Sequence, residues 1–304
     1  MHRSVSDEMN VRARKTVFEL KSFGFAKMFS SANRGREDAY YVNLTADRCF
    51  KVFHHLPISS PKPVGIVYVP GFRSTSQQGN VAQRLYKHCR EKSYELVRYD
   101  PEGLGELAPL HDPQRLEFTH WIEDAESAMS KITSDKVVLV GSSMGGLMSI
   151  KLALKCPGRV SALFLMCPAI SMTSMIEASW RQIHGKKSLQ EVDPDEVFWF
   201  RDEPDLPGGD LPPLSFTRKL LETYTSETVK LSELTSPLNL HCPIVIIHGM
   251  EDDIAPYKIS LSLVKNVRTP SVDLVLRKDG DHRLSREEDL QVMTDCLDRL
   301  INSL

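Results

Sequence analysis

Ser143 is the residue around which chemistry can be built. It stands at the centre of Gly141-Ser142-Ser143-Met144-Gly145, a G-x-S-x-G pattern. Ahead of it runs an apolar, β-branched stretch, Lys136-Val-Val-Leu-Val140. Behind it runs Leu147-Met-Ser-Ile-Lys-Leu-Ala-Leu154. This succession predicts a buried strand, a tight turn and a helix, with the serine on the turn. A serine there needs a strained backbone to lift its hydroxyl clear of the sheet. Side chains at 141 and 145 would collide with neighbouring backbone. Such a serine is placed to act as a nucleophile. The bland reading is a Gly-rich strand-to-helix turn that holds a structural or phosphate-facing serine. Neither G-K-[ST] nor G-x-G-x-x-G occurs in this stretch, which counts against a nucleotide site.

A serine hydroxyl is a poor nucleophile at neutral pH. It needs a base to take its proton, normally histidine, and an acid to orient that histidine. In a parallel α/β sheet, functional groups gather at the carboxyl ends of the strands. Asp252 and Asp253 come after the apolar run Pro243-Ile-Val-Ile-Ile247, and His282 comes after Val272-Asp-Leu-Val-Leu276. His282 is therefore the expected base. His2, His54, His55, His88, His111, His120, His184 and His241 do not stand just after a buried strand downstream of the acid. His248 does end a strand, but it precedes Gly249 directly and reads as a turn or packing residue. Of the adjacent aspartates, one should face His282 and the other should cap the following turn. Asp252 is favoured, with Asp253 as the alternative. Asp281 reads as a solvated loop charge.

Acyl transfer also needs donors for a developing oxyanion. One is the backbone N–H of the residue after the nucleophile, here Met144. A second is expected from Pro70-Gly71-Phe72, through the Phe72 amide, which leaves the Phe72 ring for substrate or for ordinary loop packing.

The elements that must position these groups alternate along the chain. Strands are predicted at Cys49–Phe53, Val64–Val69, Tyr94–Tyr99, Val160–Met166, Pro243–Ile247 and Val272–Leu276, besides the one before Ser143. Helices are predicted over 81–92, 118–132, 259–267 and 287–304, the last with Leu290, Met293, Leu297, Leu300 and Ile301 on its inner face. This alternation predicts an α/β fold, a mostly parallel sheet with helices on both faces. From about 170 to 236, Pro, Asp and Glu become frequent and Trp180, Phe198, Trp199, Phe200 and Tyr224 appear. That stretch reads as a lid-like insertion over the carboxyl edge of the sheet.

Composition sets further bounds. The 304 residues suit one large domain with insertions, with 41% hydrophobic and 26% charged residues. A net charge of −2 gives no bulk attraction to nucleic acid or anionic membrane. No apolar run approaches a membrane span. The six cysteines form no C-x-x-C pair, so no disulfide framework or zinc site is expected, and Cys156, Cys167 and Cys296 read as buried thiols. In residues 1–36, eight basic residues against three acidic ones leave a net +5. This segment, extended to residue 48, reads as a transit peptide or a loosely packed basic arm, ahead of a domain over 49–304.

The residues now match a family. Pro70-Gly71-Phe72, Gly141-Ser-Ser-Met-Gly-Gly146, His248-Gly-Met-Glu-Asp-Asp-Ile-Ala-Pro256 and Gly280-Asp-His282 resemble the α/β-hydrolases over about 64–304. The order Ser, Asp, His is also theirs. Val275-Leu-Arg-Lys278 and His248-Gly-Met-Glu-Asp-Asp253 are similar to a mitochondrial branch that cleaves palmitoyl thioesters and acyl-glucuronide esters. The resemblance implies a serine hydrolase with Ser143, Asp252 and His282 as its triad and an acylated protein or small acyl ester as substrate. It implies no cofactor and no metal, no nucleic-acid partner and no stable membrane insertion. It also implies a mitochondrial location, with the cytoplasm as the alternative. A serine aminopeptidase or general carboxylesterase would use the same fold, with Glu177, Asp193, Asp195 or Glu196 available to grip a free amine. A non-catalytic binding protein is the remaining alternative.

Overall fold

The computed structural model describes residues 35–58, 62–77, 79–171, 188–200, 214–231 and 234–304. The N-terminal part of the basic arm, residues 1–34, lies outside them, as do Glu177, Trp180 and much of the insertion.

Four runs of β-branched and aliphatic residues make the centre of the sheet. They are β3 (Val64–Val69), β5 (Lys136–Ser142), β6 (Val160–Met166) and β9 (Ile244–Gly249). Nearly every residue in them is buried, which requires cover on both faces. Their side chains alternate between the faces. Val67, Val69, Leu139, Leu163, Leu165 and Ile246 meet helices α2 (Phe118–Met129) and α3 (Met144–Lys155) on one side. Ile66, Tyr68, Val138, Val140, Phe164 and Ile247 meet α1 (Asn80–Lys92) and α6 (Glu287–Asn302) on the other. All five inner-face residues predicted for the last helix are buried in that second layer.

With β1 (Glu37–Asn43), β2 (Cys49–His55), β4 (Glu95–Asp100) and β10 (Val272–Arg277), these strands form one eight-stranded sheet in the order β1-β2-β4-β3-β5-β6-β9-β10. The six strands from β4 to β10 run parallel, while β2 lies antiparallel to β4 and β1 antiparallel to β2. Among the described residues the sheet thus begins at Glu37, inside the segment that the sequence assigns to the basic arm. β1 is an edge strand, half-buried over most of its length, and it lacks the apolar run that marks its central neighbours. The helix predicted over 118–132 ends at Met129, because Lys131 and Ile132 turn back with short i−3 bonds to Ala128 and Met129. Cys167 and Cys296 are buried as expected, whereas Cys156 is only half-covered at the end of α3.

Of the insertion, β7 (Phe198–Phe200) and β8 (Leu214–Phe216) pair antiparallel as a separate ribbon. Helix α4 (Arg218–Glu227) then packs on α2, where Tyr224 meets Phe118 edge-on at 4.9 Å. No helix among the described residues is long and apolar enough to cross a membrane.

Candidate active site

Ser143 caps the turn from β5 into α3 with φ 53° and ψ −121°, a left-handed conformation that is costly for a residue with a Cβ. Three backbone hydrogen bonds hold it there. Its N–H donates to Met166 O at 2.9 Å, and its carbonyl accepts from Gly146 N and Ala169 N, each at 2.9 Å. The glycines answer to space. A Cβ at Gly145 would run into the Val69 carbonyl, and one at Gly141 would lie 2.5 Å from Gly145 O. The elbow can form only where β3, β5 and α3 touch backbone to backbone, as the sequence pattern requires.

Asp252 and His282 come from two further strand ends. Gly249, closing β9, packs its Cα against Gly280 without room for a side chain. Met250 N donates to Arg277 O at 2.8 Å and Glu251 N donates to Gly280 O at 2.9 Å. These contacts bind the loop carrying Asp252 to the loop carrying His282. The result is a continuous chain of hydrogen bonds. The Ser143 hydroxyl and His282 Nε2 are 2.9 Å apart, and His282 Nδ1 and Asp252 Oδ2 are 2.7 Å apart. Asp252 is the tautomer-setting acceptor, so Nδ1 carries the proton and Nε2 is left to accept from the serine. An imidazole placed in this way can take the hydroxyl proton as the oxygen attacks.

Asp252 is 7% exposed. Burial alone would push its pKa up, but donors outweigh that penalty and hold the carboxyl well below the usual carboxylate range. They are His248 and His282, the charge of the His282 ring, and the Ala255 amide. Its second oxygen accepts from Ile254 N at 2.9 Å and Ala255 N at 2.7 Å. The Asp252 carboxyl is therefore ionised and fixed in place. Asp253 is exposed. Asp281 is exposed too, and its Oδ1 caps the turn after His282 by accepting from Arg283 N and Leu284 N.

Phe72 comes directly after Gly71, whose Cα lies so close to Ser143 that an added Cβ would stand 3.0 Å from the serine Cβ. The Phe72 ring is 37% exposed and leans on Trp121 at 6.0 Å, and Trp121 in turn meets Phe118. Met144 is the first residue of α3, where backbone N–H groups have no intrahelical partner and the helix dipole is positive.

Two residues beside the site stand at strand ends in the sequence but are not read there as part of the site, His248 and Cys167. His248 is fully buried and hydrogen-bonded to Asp252. The sequence reads it as a turn or packing residue, because its target lies four residues on around a loop. Cys167 directly follows β6 with φ 42° and its thiol lies near Asp252, where burial pushes its pKa up. Cys167, Asp252 and His282 offer donor atoms within 4.8 Å of one another, one grouping among the described residues with metal-ligand chemistry. Two of its three members are already joined by the His282–Asp252 hydrogen bond.

Known proteins agree with this architecture. Residues 61–289 match the family model described as serine aminopeptidase, S33. The mouse (Mus musculus) protein named palmitoyl-protein thioesterase ABHD10, mitochondrial, is 28% identical over 247 residues, covering 80% of this chain and 77% of its own. The human (Homo sapiens) protein of the same name is 27% identical over 247 residues, covering 80% and 74%. Among solved structures, alpha/beta hydrolase domain-containing protein 10 from mouse superimposes with a TM-score of 0.68 at 23% identity, over 88% of this chain and 99% of that one. A monoglyceride lipase from Saccharomyces cerevisiae gives 0.70 at 15% identity, over 92% and 99%, a likeness of fold alone. With three-quarters of its length matched to the family model and a parallel sheet that ends in a serine elbow, the chain belongs to the serine aminopeptidase S33 family of α/β-hydrolases and is a hydrolase.

Proposed function

We propose that this hydrolase is a serine acyl thioesterase or esterase that works through an acyl-enzyme, with Ser143, His282 and Asp252 as its triad. The observation that carries the reading is the unbroken hydrogen-bonded chain from Ser143 Oγ through His282 to Asp252. Ser143 Oγ attacks the acyl carbonyl as its proton passes to His282 Nε2. The carbonyl oxygen becomes an oxyanion and accepts from the amides of Met144 and Phe72. The carbonyl re-forms, the bond to sulfur or oxygen breaks, and His282 returns the proton to the leaving group. Water then repeats the sequence and frees the acid. Asp252, already ionised, stabilises the imidazolium formed in each half.

Two things favour an acyl chain as the group transferred. The relatives named above are called palmitoyl-protein thioesterases. The exposed Phe72 ring, backed by Trp121 and Phe118, offers an apolar wall beside Ser143. The substrate is then an acylated protein or a small acyl ester. The same relatives are called mitochondrial, which fits the +5 charge of residues 1–36, and we assign this chain to the mitochondrion. Import of a fusion carrying residues 1–48 into mitochondria tests this, and a cytoplasmic signal overturns it.

The family description favours a second reading, an aminopeptidase. Such an enzyme needs a carboxylate to grip a free amine. Asp193, Asp195 and Glu196 are exposed, and Asp193 Oδ1 accepts from the amide of Asp195 in a local turn. Glu177 lies outside the described residues.

The test is hydrolysis of an acyl-length series, as thioesters and as oxygen esters, beside amino-acyl amides. Ser143→Ala is expected to lose roughly 10⁴–10⁶-fold in kcat. A fluorophosphonate probe should label wild type and not Ser143→Ala. Preference for long-chain thioesters supports the depalmitoylating reading. Preference for amino-acyl amides replaces it with the peptidase, and a fully active Ser143→Ala protein removes the triad.

A further inference from the structure

We propose that His248 is a positioning residue that aims the Asp252 carboxylate at the catalytic histidine, with Ser260 holding His248 in the tautomer this requires. The inference rests on the triad reading above.

His248 and Ser260 are both fully buried. His248 Nε2 lies 3.1 Å from Asp252 Oδ2 and 2.7 Å from the Ala255 carbonyl. Both neighbours are acceptors, so Nε2 must carry a hydrogen. Its other nitrogen, Nδ1, lies 2.7 Å from Ser260 Oγ on α5 (Lys258–Lys265). A neutral imidazole with Nε2 protonated accepts at Nδ1, and the serine hydroxyl is the donor that fits. Hydrogens therefore run from Ser260 to His248 and from His282 to Asp252, while the single Nε2 hydrogen of His248 is shared between the Ala255 carbonyl and Asp252 Oδ2.

The oxygen involved is what gives this arrangement a function. His248 donates to Oδ2, the same atom that receives His282 Nδ1–H, while Oδ1 is held by the amides of Ile254 and Ala255. His248 also grips the Ala255 carbonyl, so the loop from Asp252 to Ala255 wraps around one imidazole and cannot rotate the carboxylate away. A second donor on Oδ2 also lowers its basicity. That keeps the shared proton on His282, where it must stay if the imidazolium is to deliver it to a leaving group. A buried imidazole needs partners at both nitrogens whatever its role; what marks this one is that its N–H reaches the same carboxylate oxygen that His282 uses. The titratable groups packed around this carboxylate are His248, His282 and Cys167, with Asp281 beyond the thiol.

The test uses the full chain and a long-chain acyl thioester, with Ser143→Ala as control. His248→Leu is expected to lower kcat by roughly 10–100-fold with KM unchanged, the usual cost of removing a residue that orients a catalytic ligand. The acidic limb of its kcat/KM profile should move to higher pH, because a carboxylate with fewer donors stabilises the imidazolium more strongly. His248→Gln keeps an N–H near the Nε2 position and should restore most of kcat. Ser260→Ala should cost a few-fold. The inference is overturned if folded His248→Leu keeps wild-type kcat, or if Gln and Leu are equally impaired. If His248→Leu fails to fold, Ser260→Ala decides: a lowered kcat supports the inference and an unchanged one overturns it. A fully active Ser143→Ala control indicts the triad itself, which is a different failure.

Discussion

Two buried aspartates, Asp252 and Asp124, face opposite fates. Asp252 is 7% exposed and is held well below the usual carboxylate range. Asp124, 1% exposed on α2, is pushed up to about 8. Burial drives both upward, so burial does not decide the outcome. Donors do. Asp252 receives two imidazoles and two amides. Asp124 receives the Glu102 amide at 2.8 Å and shares a single guanidinium, Arg48 at 3.3 Å, with Glu102 and Glu123. The guanidinium lies closer to Glu102, which also has His120 at 2.9 Å, and to Glu123, which is open to water, so the most buried of the three, Asp124, keeps its proton. The buried donors gather on Asp252, the carboxyl proposed as the triad acid.

Catalysis separates the two aspartates most widely. Asp252→Asn should lower kcat by about 10⁴-fold, because an amide cannot fix the imidazole tautomer. Asp124→Asn, equally buried and equally conservative, should leave kcat at the wild-type level. Equal losses would show that a buried carboxylate matters here only for the fold.

Stability against pH separates the two next. Between the unfolded aspartate value of about 3.9 and about 8, native Asp124 holds a proton that the unfolded chain has released. Wild-type stability therefore falls as pH rises through that window, and Asp124→Asn should gain on wild type in denaturant melts between pH 5 and 8. For Asp252 the sign reverses. Its native pKa is depressed, so its contribution is complete above the unfolded value and drains away as pH falls below it. The penalty of Asp252→Asn should therefore be full at pH 7 and shrink below roughly pH 4. Parallel curves for the two variants would defeat the comparison. The smallest effect is expected beside the site. Asp253→Asn, exposed and one residue from the acid, should leave kcat and melting temperature unchanged.

Ser143, His282 and the end of β9 are legible in the sequence because each sits on a strong local signal. β-Branched runs mark buried strands, and the residues just past a buried strand stand at the functional edge. Asp252 over Asp253 is legible only in part, since adjacent residues share every local signal and differ in burial alone. The strand-end place of His248 is legible but its donor role is not, because a histidine before glycine looks the same whether it packs or donates. β1 escapes notice for the reverse reason. Glu-Asp-Ala-Tyr-Tyr-Val-Asn is half-exposed on an edge, so it lacks the continuous apolar run that burial on both faces imposes. The ribbon of β7 and β8 pairs only three residues on each side, too few for any periodicity.

The strand order carries one more consequence, which concerns how the chain reaches this state. Ser143 and His282 are 139 positions apart in sequence yet share a hydrogen bond, and the sheet crosses over repeatedly before β9 and β10 close against β6. Contacts of such long range form late and slowly, because loop closure must precede them. Recovered turnover after dilution from denaturant should therefore lag the return of helical signal, making activity a clock for the last step of folding.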